Sequence, residues 1–269
     1  MITFPNAKIN IGLYVTEKRS DGFHNLESCF YPVNWNDVLE IIPASDLSFQ
    51  STGISIPGDP STNLCLKAYH LMKQDLNLPP VAIHLHKLVP IGAGLGGGSA
   101  DCAFTIKTIN ELFELNLSTT AQENYARQLG SDCAFFIQNK PQFCFGKGDE
   151  FADIALNLAG KYIVLINPEI HISTAEAYSG IKPKPANNDL RTALLRPMSE
   201  WKDTIFNDFE THLLPKYPII AAVKAYLYEQ GAVYACMTGS GSTVFGIFDE
   251  EPTLSDKFSN YPSWKGQLT

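Results

Sequence analysis

Between Pro90 and Ala103 the chain reads P-I-G-A-G-L-G-G-G-S-A-D-C-A, and Gly92, Gly94, Gly96, Gly97 and Gly98 crowd into that one stretch. Glycine surrenders more backbone entropy on ordering than any other residue, so neither a packed strand nor a packed helix selects such a run. It suits main chain that adopts positive φ and comes close to a partner. Ahead of it, Val81 to His86 alternates as a half-buried strand does. Behind it, Ser99 to Leu115 carries Ala103, Ile106, Ile109, Asn110 and Phe113 at helical spacing. Strand, glycine loop and helix start together offer unpaired N–H groups and the positive end of a helix dipole to an anion. A phosphate group fits that description.

The rest of the composition bounds what such a loop can serve. With 269 residues, 45% hydrophobic and 18% charged, the chain suits one large globular domain or two modest ones. A net charge of −8 argues against a nucleic-acid or anionic-membrane surface, so phosphate binding has to be local, built from backbone amides and a few lysines. The opening residues show no basic segment followed by an apolar one, and no apolar run approaches a membrane span. The six cysteines are scattered without C-x-x-C pairs and read as reduced, mostly buried thiols. The cytoplasm is the expected location.

Residues 1 to 56 are rich in strand signals. Ala7 to Val15 alternates, Val38 to Ile42 and Leu47 to Ile56 follow, and Ser20-Asp21-Gly22 marks a turn. Ser61 to Leu78 is predicted helical, with Leu64, Ala68, Leu71 and Met72 on one face and Pro79-Pro80 ending it. Ser118 to Glu123 offers overlapping capping boxes for a helix to Leu129, with Gly130 as its stop. Ser131 to Phe136 is a polar turn opening an apolar segment, and Gln142 to Phe151 reads as a hairpin around Gly146-Lys147-Gly148-Asp149. A buried-strand pattern at Lys161 to Ile166 precedes another capping box at Ser173 to Glu176. Lys182 to Asn188 reads as a mobile loop, and helices are predicted at 189–196, 199–213 and 218–230. A last hairpin, Ala232 to Phe248, encloses Thr238-Gly239-Ser240-Gly241-Ser242. The order of elements is α+β, not alternating βαβ.

Taken alone, the glycine loop has several possible owners. Gly92-x-Gly94-x-x-Gly97 meets the dinucleotide fingerprint, but a helix and a polar cap stand where the acidic strand end should follow. No Gly-Lys-Ser/Thr closes the loop, which excludes a P-loop. His84 and His86 share a strand face without an evident third ligand and fit a solvated face. Cys133, beside Asp132, has no histidine near it in sequence and reads as a small buried thiol.

The full pattern from Pro90 through Leu95 and Ser99 resembles the phosphate loop of the GHMP kinases, named for galactokinase, homoserine, mevalonate and phosphomevalonate kinases. Ala7-Lys8-Ile9-Asn10-Ile11 and Asp21-Gly22-Phe23-His24-Asn25-Leu26 resemble the branch whose substrate is a cytidine-diphospho-methylerythritol. Gly130-Ser131-Asp132-Cys133-Ala134-Phe135-Phe136 stands where that branch carries Gly-Ala-Asp-Val-Pro-Phe, and residues 238–242 correspond to its C-terminal glycine motif. The four motifs occur in family order and span most of the chain. Phe23 replaces a common tyrosine, Ser131 and Ala134 replace Ala and Pro, and the 146–149 hairpin is a loose version of the family's own.

The resemblance implies a two-lobed α+β GHMP kinase fold with the active site in the cleft between the lobes. Residues 1–152 would form the N-terminal domain and 153–269 the C-terminal one. It implies ATP- and Mg²⁺-dependent phosphorylation of the 2-hydroxyl of the cytidine-diphosphate substrate, a step of non-mevalonate isoprenoid precursor synthesis. The expected enzyme is a monomer or weak homodimer with no nucleic-acid or membrane partner. ATP would be held by Pro90, Ile91, Gly92, Ala93, Gly94, Leu95, Gly96, Gly97, Gly98, Ser99 and Ala100, with Lys87 and Asn63 lining the pocket. Surface or capping roles are the plain alternatives for Lys87 and Asn63, as helix capping is for Ser99, whose hydroxyl otherwise suits a phosphate or Mg²⁺. Asp132 would be the general base, the alternative being an N-cap of the Phe135-Phe136 segment. Lys8, in an apolar strand where lysine rarely lacks a partner, would hold that carboxylate ionised and stabilise the attacking oxygen; alternation also permits it to face outward. Phe23 would stack on cytosine, His24 bond its edge, and Asn10 and Thr174 contact substrate. Two further readings stand beside this one: a homoserine- or mevalonate-type kinase, and a non-catalytic GHMP-like ligand-binding protein.

Overall fold

The computed structural model describes residues 1–185 and 189–269; residues 186–188, the end of the expected 182–188 loop, lie outside the described residues. The chain divides into two compact units that it enters more than once. The first holds Met1–Ala7, Trp35–Ile91 and Gly96–Lys140, the second Lys8–Asn34, Gly92–Leu95 and Pro141–Thr269. The units therefore do not follow a single cut after residue 152, and the glycine run itself is divided after Leu95.

In the first unit, strands β1 (Ile2–Thr3), β4 (Val38–Pro43), β5 (Ser48–Gly53) and β6 (Val81–Lys87) form a sheet in the order β1-β4-β6-β5. The β4–β6 pairing is antiparallel, with Leu39 opposite Leu85 and Ile41 opposite Ile83; β5–β6 is parallel. That register gathers Leu39, Ile41, Val81, Ile83 and Leu85 into the core, because alternate side chains share a face. Helices α1 (Leu64–Asp75), α2 (Gly97–Leu112), α3 (Thr119–Leu129) and α4 (Phe135–Gln138) pack with one another, and α2 also packs on β4. The helix expected over 61–78 is shorter, and its buried stripe is Cys65, Ala68, Tyr69 and Met72. Leu64 and Leu71 are only half-buried. Tyr69 can turn inward because its hydroxyl donates to Pro79 O (3.1 Å), so its polar end is satisfied.

The second unit contains two sheets. Strands β2 (Asn6–Lys18), β3 (His24–Asn36), β7 (Gln142–Phe145) and β8 (Glu150–Asp153) run in that order. The expected hairpin at 146–149 joins β7 to β8, with Phe145 opposite Glu150. The other sheet has the order β10-β11-β9-β12, from β10 (Tyr234–Met237), β11 (Val244–Phe248), β9 (Tyr162–Ile166) and β12 (Ser263–Gln267). Helices α5 (Thr174–Ser179), α6 (Leu190–Leu194), α7 (Trp201–Thr204), α8 (Glu210–Lys216) and α9 (Pro218–Glu229) complete the unit. Val223 and Leu227 of α9 join Val164, Ile166, Met237 and Val244 in its core.

One expectation fails here for a tertiary reason. The single helix predicted over 199–213 is split, because residues 206–208 are drawn into backbone bonding with β2. Leu13 N donates to Phe206 O, Asp208 N donates to Leu13 O, and Leu13 bridges to Asn207. The strand β3, thirteen residues long, was not anticipated beyond its neighbours' general strand character. All six cysteines are buried. Among the described residues no helix is long and apolar enough to cross a membrane.

Candidate active site

In the first unit the helix after the glycine run starts at Gly97, with Gly96 as its N-cap in the left-handed conformation and no side-chain cap. Ser99 is thus the third helical residue and not the cap; its side chain hydrogen-bonds Cys133, which also bonds Cys102. This places the turn carrying Asp132 beside the start of α2. Asp132 is half-buried and does not cap α4, whose N-cap position is Ala134. Asn63 caps α1, its Oδ1 accepting from Cys65 N (2.9 Å).

Lys87 lies beneath this helix start. It is only 3% exposed. Its ammonium donates to Asp37 and, at 2.7 Å, to Asp101 Oδ2 on α2. Asp37 also accepts Leu88 N (2.6 Å) and Val89 N (2.8 Å) through Oδ1. Burial alone would push the Lys87 ammonium down, but the Asp101 and Asp37 charges more than offset it and its pKa is raised. Burial raises Asp101 against the opposing pull of Lys87. A Cβ on Gly97 would stand 3.0 Å from Lys87 Nζ, so a side chain there would press on the cluster.

The second unit holds residues 92–95 differently. The carbonyls of Ala93, Gly94 and Leu95 accept from Thr243 N (3.4 Å), Thr238 Oγ1 (3.0 Å) and Lys8 N (2.9 Å). In a trans peptide the N–H points opposite to the preceding C=O. Tying these carbonyls to β2 and the 238–243 turn therefore aims the amides of Gly94, Leu95 and Gly96 the other way, as an anion cradle requires. Gly94 has φ +77°, and a Cβ there would lie 2.1 Å from Thr238 O.

Lys8 and Asn10 lie on β2 and are buried, so the outward-facing alternative for Lys8 is excluded. Lys8 Nζ donates to Asn10 Oδ1 (2.6 Å), approaches Gly94 O (3.4 Å) and sits 4.7 Å from the centre of the Phe30 ring. Asn10 N donates to Thr238 Oγ1 (3.0 Å), and Asn10 Nδ2 to Ser28 Oγ (2.9 Å). Behind Thr238, Asn207 Nδ2 donates to both Met237 O and Gly239 O (2.8 Å each), while its Oδ1 accepts Phe209 N (3.0 Å). Glu210 accepts Met237 N (2.8 Å) and pairs with Lys224 (2.6 Å).

The candidate substrate residues also belong to this unit. His24 stacks on Tyr178 at 4.7 Å, and Tyr178 meets Phe209 edge-on. Thr174 is exposed at the first position of α5, one helical turn before Tyr178, so α5 associates Thr174 with His24. Phe23 is 58% exposed, with Lys147 Nζ 5.3 Å from its ring centre. His84 and His86 sit half-buried on one face of β6, each ring hydrogen-bonded to Thr52 Oγ1.

Sequence reasoning missed Asp37, Asp101, Tyr178, Asn207 and Thr238's link to the loop. One signal was present for the buried cluster: Lys87 continues the inward alternation of Val81, Ile83 and Leu85. Asn207 fell inside a predicted helix, which hid it.

Comparison with known proteins matches residues 63–140 to the GHMP kinases N terminal domain and residues 190–261 to the GHMP kinases C terminal. The 4-diphosphocytidyl-2-C-methyl-D-erythritol kinase of Cytophaga hutchinsonii is 53% identical, over 98% of each chain. That of Bacteroides thetaiotaomicron is 50% identical over the full length of both. A crystal structure of 4-(cytidine 5'-diphospho)-2C-methyl-D-erythritol kinase superposes with a TM-score of 0.82 at 26% identity, over 100% of this chain and 99% of the other. Mevalonate kinase of Methanococcus jannaschii, at 13% identity and a TM-score of 0.70, shares the fold alone. The α+β elements, the loop between β6 and α2 and the full-length relatives agree: this chain belongs to the 4-diphosphocytidyl-2-C-methyl-D-erythritol kinase family of the GHMP kinases.

Proposed function

We propose that the chain is an ATP-dependent kinase that phosphorylates the 2-hydroxyl of 4-diphosphocytidyl-2-C-methyl-D-erythritol, supplying isoprenoid precursors by the non-mevalonate route. The observation that carries this reading is the joining of Lys8 and Asn10 to the Gly94 carbonyl and Thr238, which ties the strand expected to meet the acceptor to the loop expected to hold the donor. The loop packs too closely on its support to carry side chains, a Cβ at Gly94 lying 2.1 Å from Thr238 O and one at Gly97 3.0 Å from Lys87 Nζ, so its main chain offers bare amides, which suits a polyphosphate. ATP supplies the transferable phosphoryl group.

The chain's own work is alignment and charge placement. Amides of residues 94–99, turned out by their bonded carbonyls, receive the phosphates, and Ser99 stands in the first turn of α2 beside them. Asp132 takes the proton of the acceptor hydroxyl as its oxygen attacks. Lys8 keeps positive charge near that oxygen, positioned by Asn10. His24, fixed by stacking on Tyr178, and Phe23 receive the cytosine, with Thr174 at a helix start suited to the diphosphate. Among the described residues no three His, Cys, Asp or Glu side chains gather as a metal cage. Mg²⁺ carried on phosphate oxygens needs none, and no step above depends on it. Six buried, scattered cysteines suit a reducing compartment. We place the enzyme in the cytoplasm, acting as a monomer or weak homodimer.

An ATP-consumption assay with the cytidylyl substrate against homoserine and mevalonate tests the reading; turnover of either alternative in preference would overturn it. Asp132→Asn should retain ATP affinity and lose roughly 10²–10⁴ of kcat. A near-normal kcat would remove Asp132 from its role.

A further inference from the structure

The Lys87 cluster contains an imbalance that points beyond simple support. Lys87, Asp37 and Asp101 are respectively 3%, 0% and 3% exposed, so two carboxyls face one ammonium with almost no water. The two carboxyls are not equivalent. Asp37 accepts three donors, namely the ammonium and the Leu88 and Val89 amides, which fill most of the roughly four acceptor sites of a carboxylate. Asp101 accepts the ammonium through Oδ2, while its Oδ1 is buried with no donor. Both carboxyls meet the one Lys87 ammonium through their Oδ2 atoms, so two buried acid groups face a single cation. If both were ionised the dry cluster would carry a net negative charge, which one bound proton removes.

We propose that Lys87, Asp37 and Asp101 are positioning residues for the nucleotide loop, and that Asp101 is the neutral member, holding a proton that balances the cluster to zero net charge. The inference rests on the reading of residues 90–100 as the ATP site. Under it, Lys87 acts through the first turn of α2 and not by reaching the phosphates, because its ammonium is already committed beneath Gly97. Neutrality matters at this place: a net negative charge below a helix start would cancel the dipole that attracts an anion.

Other groups around Asp101 leave it as the titrating member. From α1, Cys65 is pushed up to about 12, mainly by burial. On α2 itself, Cys102 is raised, first by its bond with Cys133 and then by burial. Thr105, also on α2, donates to the Asp101 carbonyl and carries no charge. Burial raises Asp101 above the ordinary carboxylate range. The folded protein then binds more protons than the unfolded chain as pH climbs through that interval, so this group's contribution falls with rising pH.

The test is thermal unfolding of the full chain from about pH 5 to about pH 8.5, together with ATP KM and kcat, for Asp101→Asn and Asp37→Asn. Asp101→Asn replaces a neutral carboxyl by a neutral amide of the same shape. Its Tm relative to the parent should rise across this range by about 3 °C or more. Asp37→Asn should lower Tm at both ends and raise ATP KM about tenfold, with kcat at saturating ATP moved less than about threefold, as loss of loop placement predicts. An Asp101→Asn difference that is flat with pH overturns the proton on Asp101. Should Asp37→Asn fail to fold, Asp101→Asn alone decides that point. An unchanged ATP KM in a folded Asp37→Asn overturns the loop-positioning role. A parent chain without ATP turnover overturns the kinase reading and the loop-positioning claim with it, while the melting curves separately decide the proton.

Discussion

Residues 96–100 rest on three buried ionisable side chains, whereas residues 92–95 rest chiefly on a hydroxyl, two amide side chains and main-chain groups. In the first unit Lys87, Asp37 and Asp101 make few, strong, charge-assisted contacts. In the second, Thr238, Asn10 and Asn207 make many ordinary ones. The difference matters because charge inside protein is costly to strip of a partner, while neutral hydrogen bonds are individually modest. An ionic support should therefore fail abruptly and with a pH signature. A neutral one should fail gradually and evenly.

The largest break is expected from Lys87→Met, which strands two buried carboxyls. We expect a loss of about 3–5 kcal/mol of stability, measured by denaturant unfolding. The deficit should be greater near pH 8 than near pH 5, because without the ammonium both carboxyls must be protonated to fold and rising pH opposes that. A pH-independent deficit would remove the contrast between the two supports. Asn207→Ala comes next. It unpairs the carbonyls of Met237 and Gly239 and the Phe209 amide, for a loss of about 2–3 kcal/mol that should not vary with pH. Thr238→Val keeps the shape but deletes the donor to Gly94 O and the acceptor for Asn10 N, costing about 1 kcal/mol. Its sharper readout is kinetic. Because Thr238 joins the loop to Asn10 and so to Lys8, kcat/KM should fall more than stability predicts, whereas an unchanged kcat/KM would make the link merely structural.

The same contrast explains what could be read without the structure. The glycine run was legible because it is a local demand on φ, and its chemistry follows from the strand before it and the helix after it. Local capping signals at Ser118 and Ser173 held for the same reason. Lys87 was half legible: alternation points it inward, yet nothing in a seven-residue strand names Asp37, which lies fifty residues earlier. Asn207 was invisible, since the predicted helix around it is overridden by bonding of 206–208 with β2. Periodicity reports which face is buried but is silent about distant partners. The family motifs supplied Asp132, Lys8 and His24 as expectations, and they did so without Tyr178, whose ring fixes His24.

The buried thiols have a practical side. Burial pushes Cys29 and Cys65 up to about 12, and burial likewise raises Cys236, so these sulfurs resist alkylating reagents while the fold is closed. Cys133 differs: hydrogen bonds from Cys102 and then Ser99 pull its thiol below the ordinary value although it is buried. It stands next to Asp132 and against the first turn of α2. A slow alkylation there, read by mass spectrometry, would count the moments when α2 and the Asp132 turn part company. The unaltered chain thus carries its own clock for breathing at the start of α2, with no label to introduce.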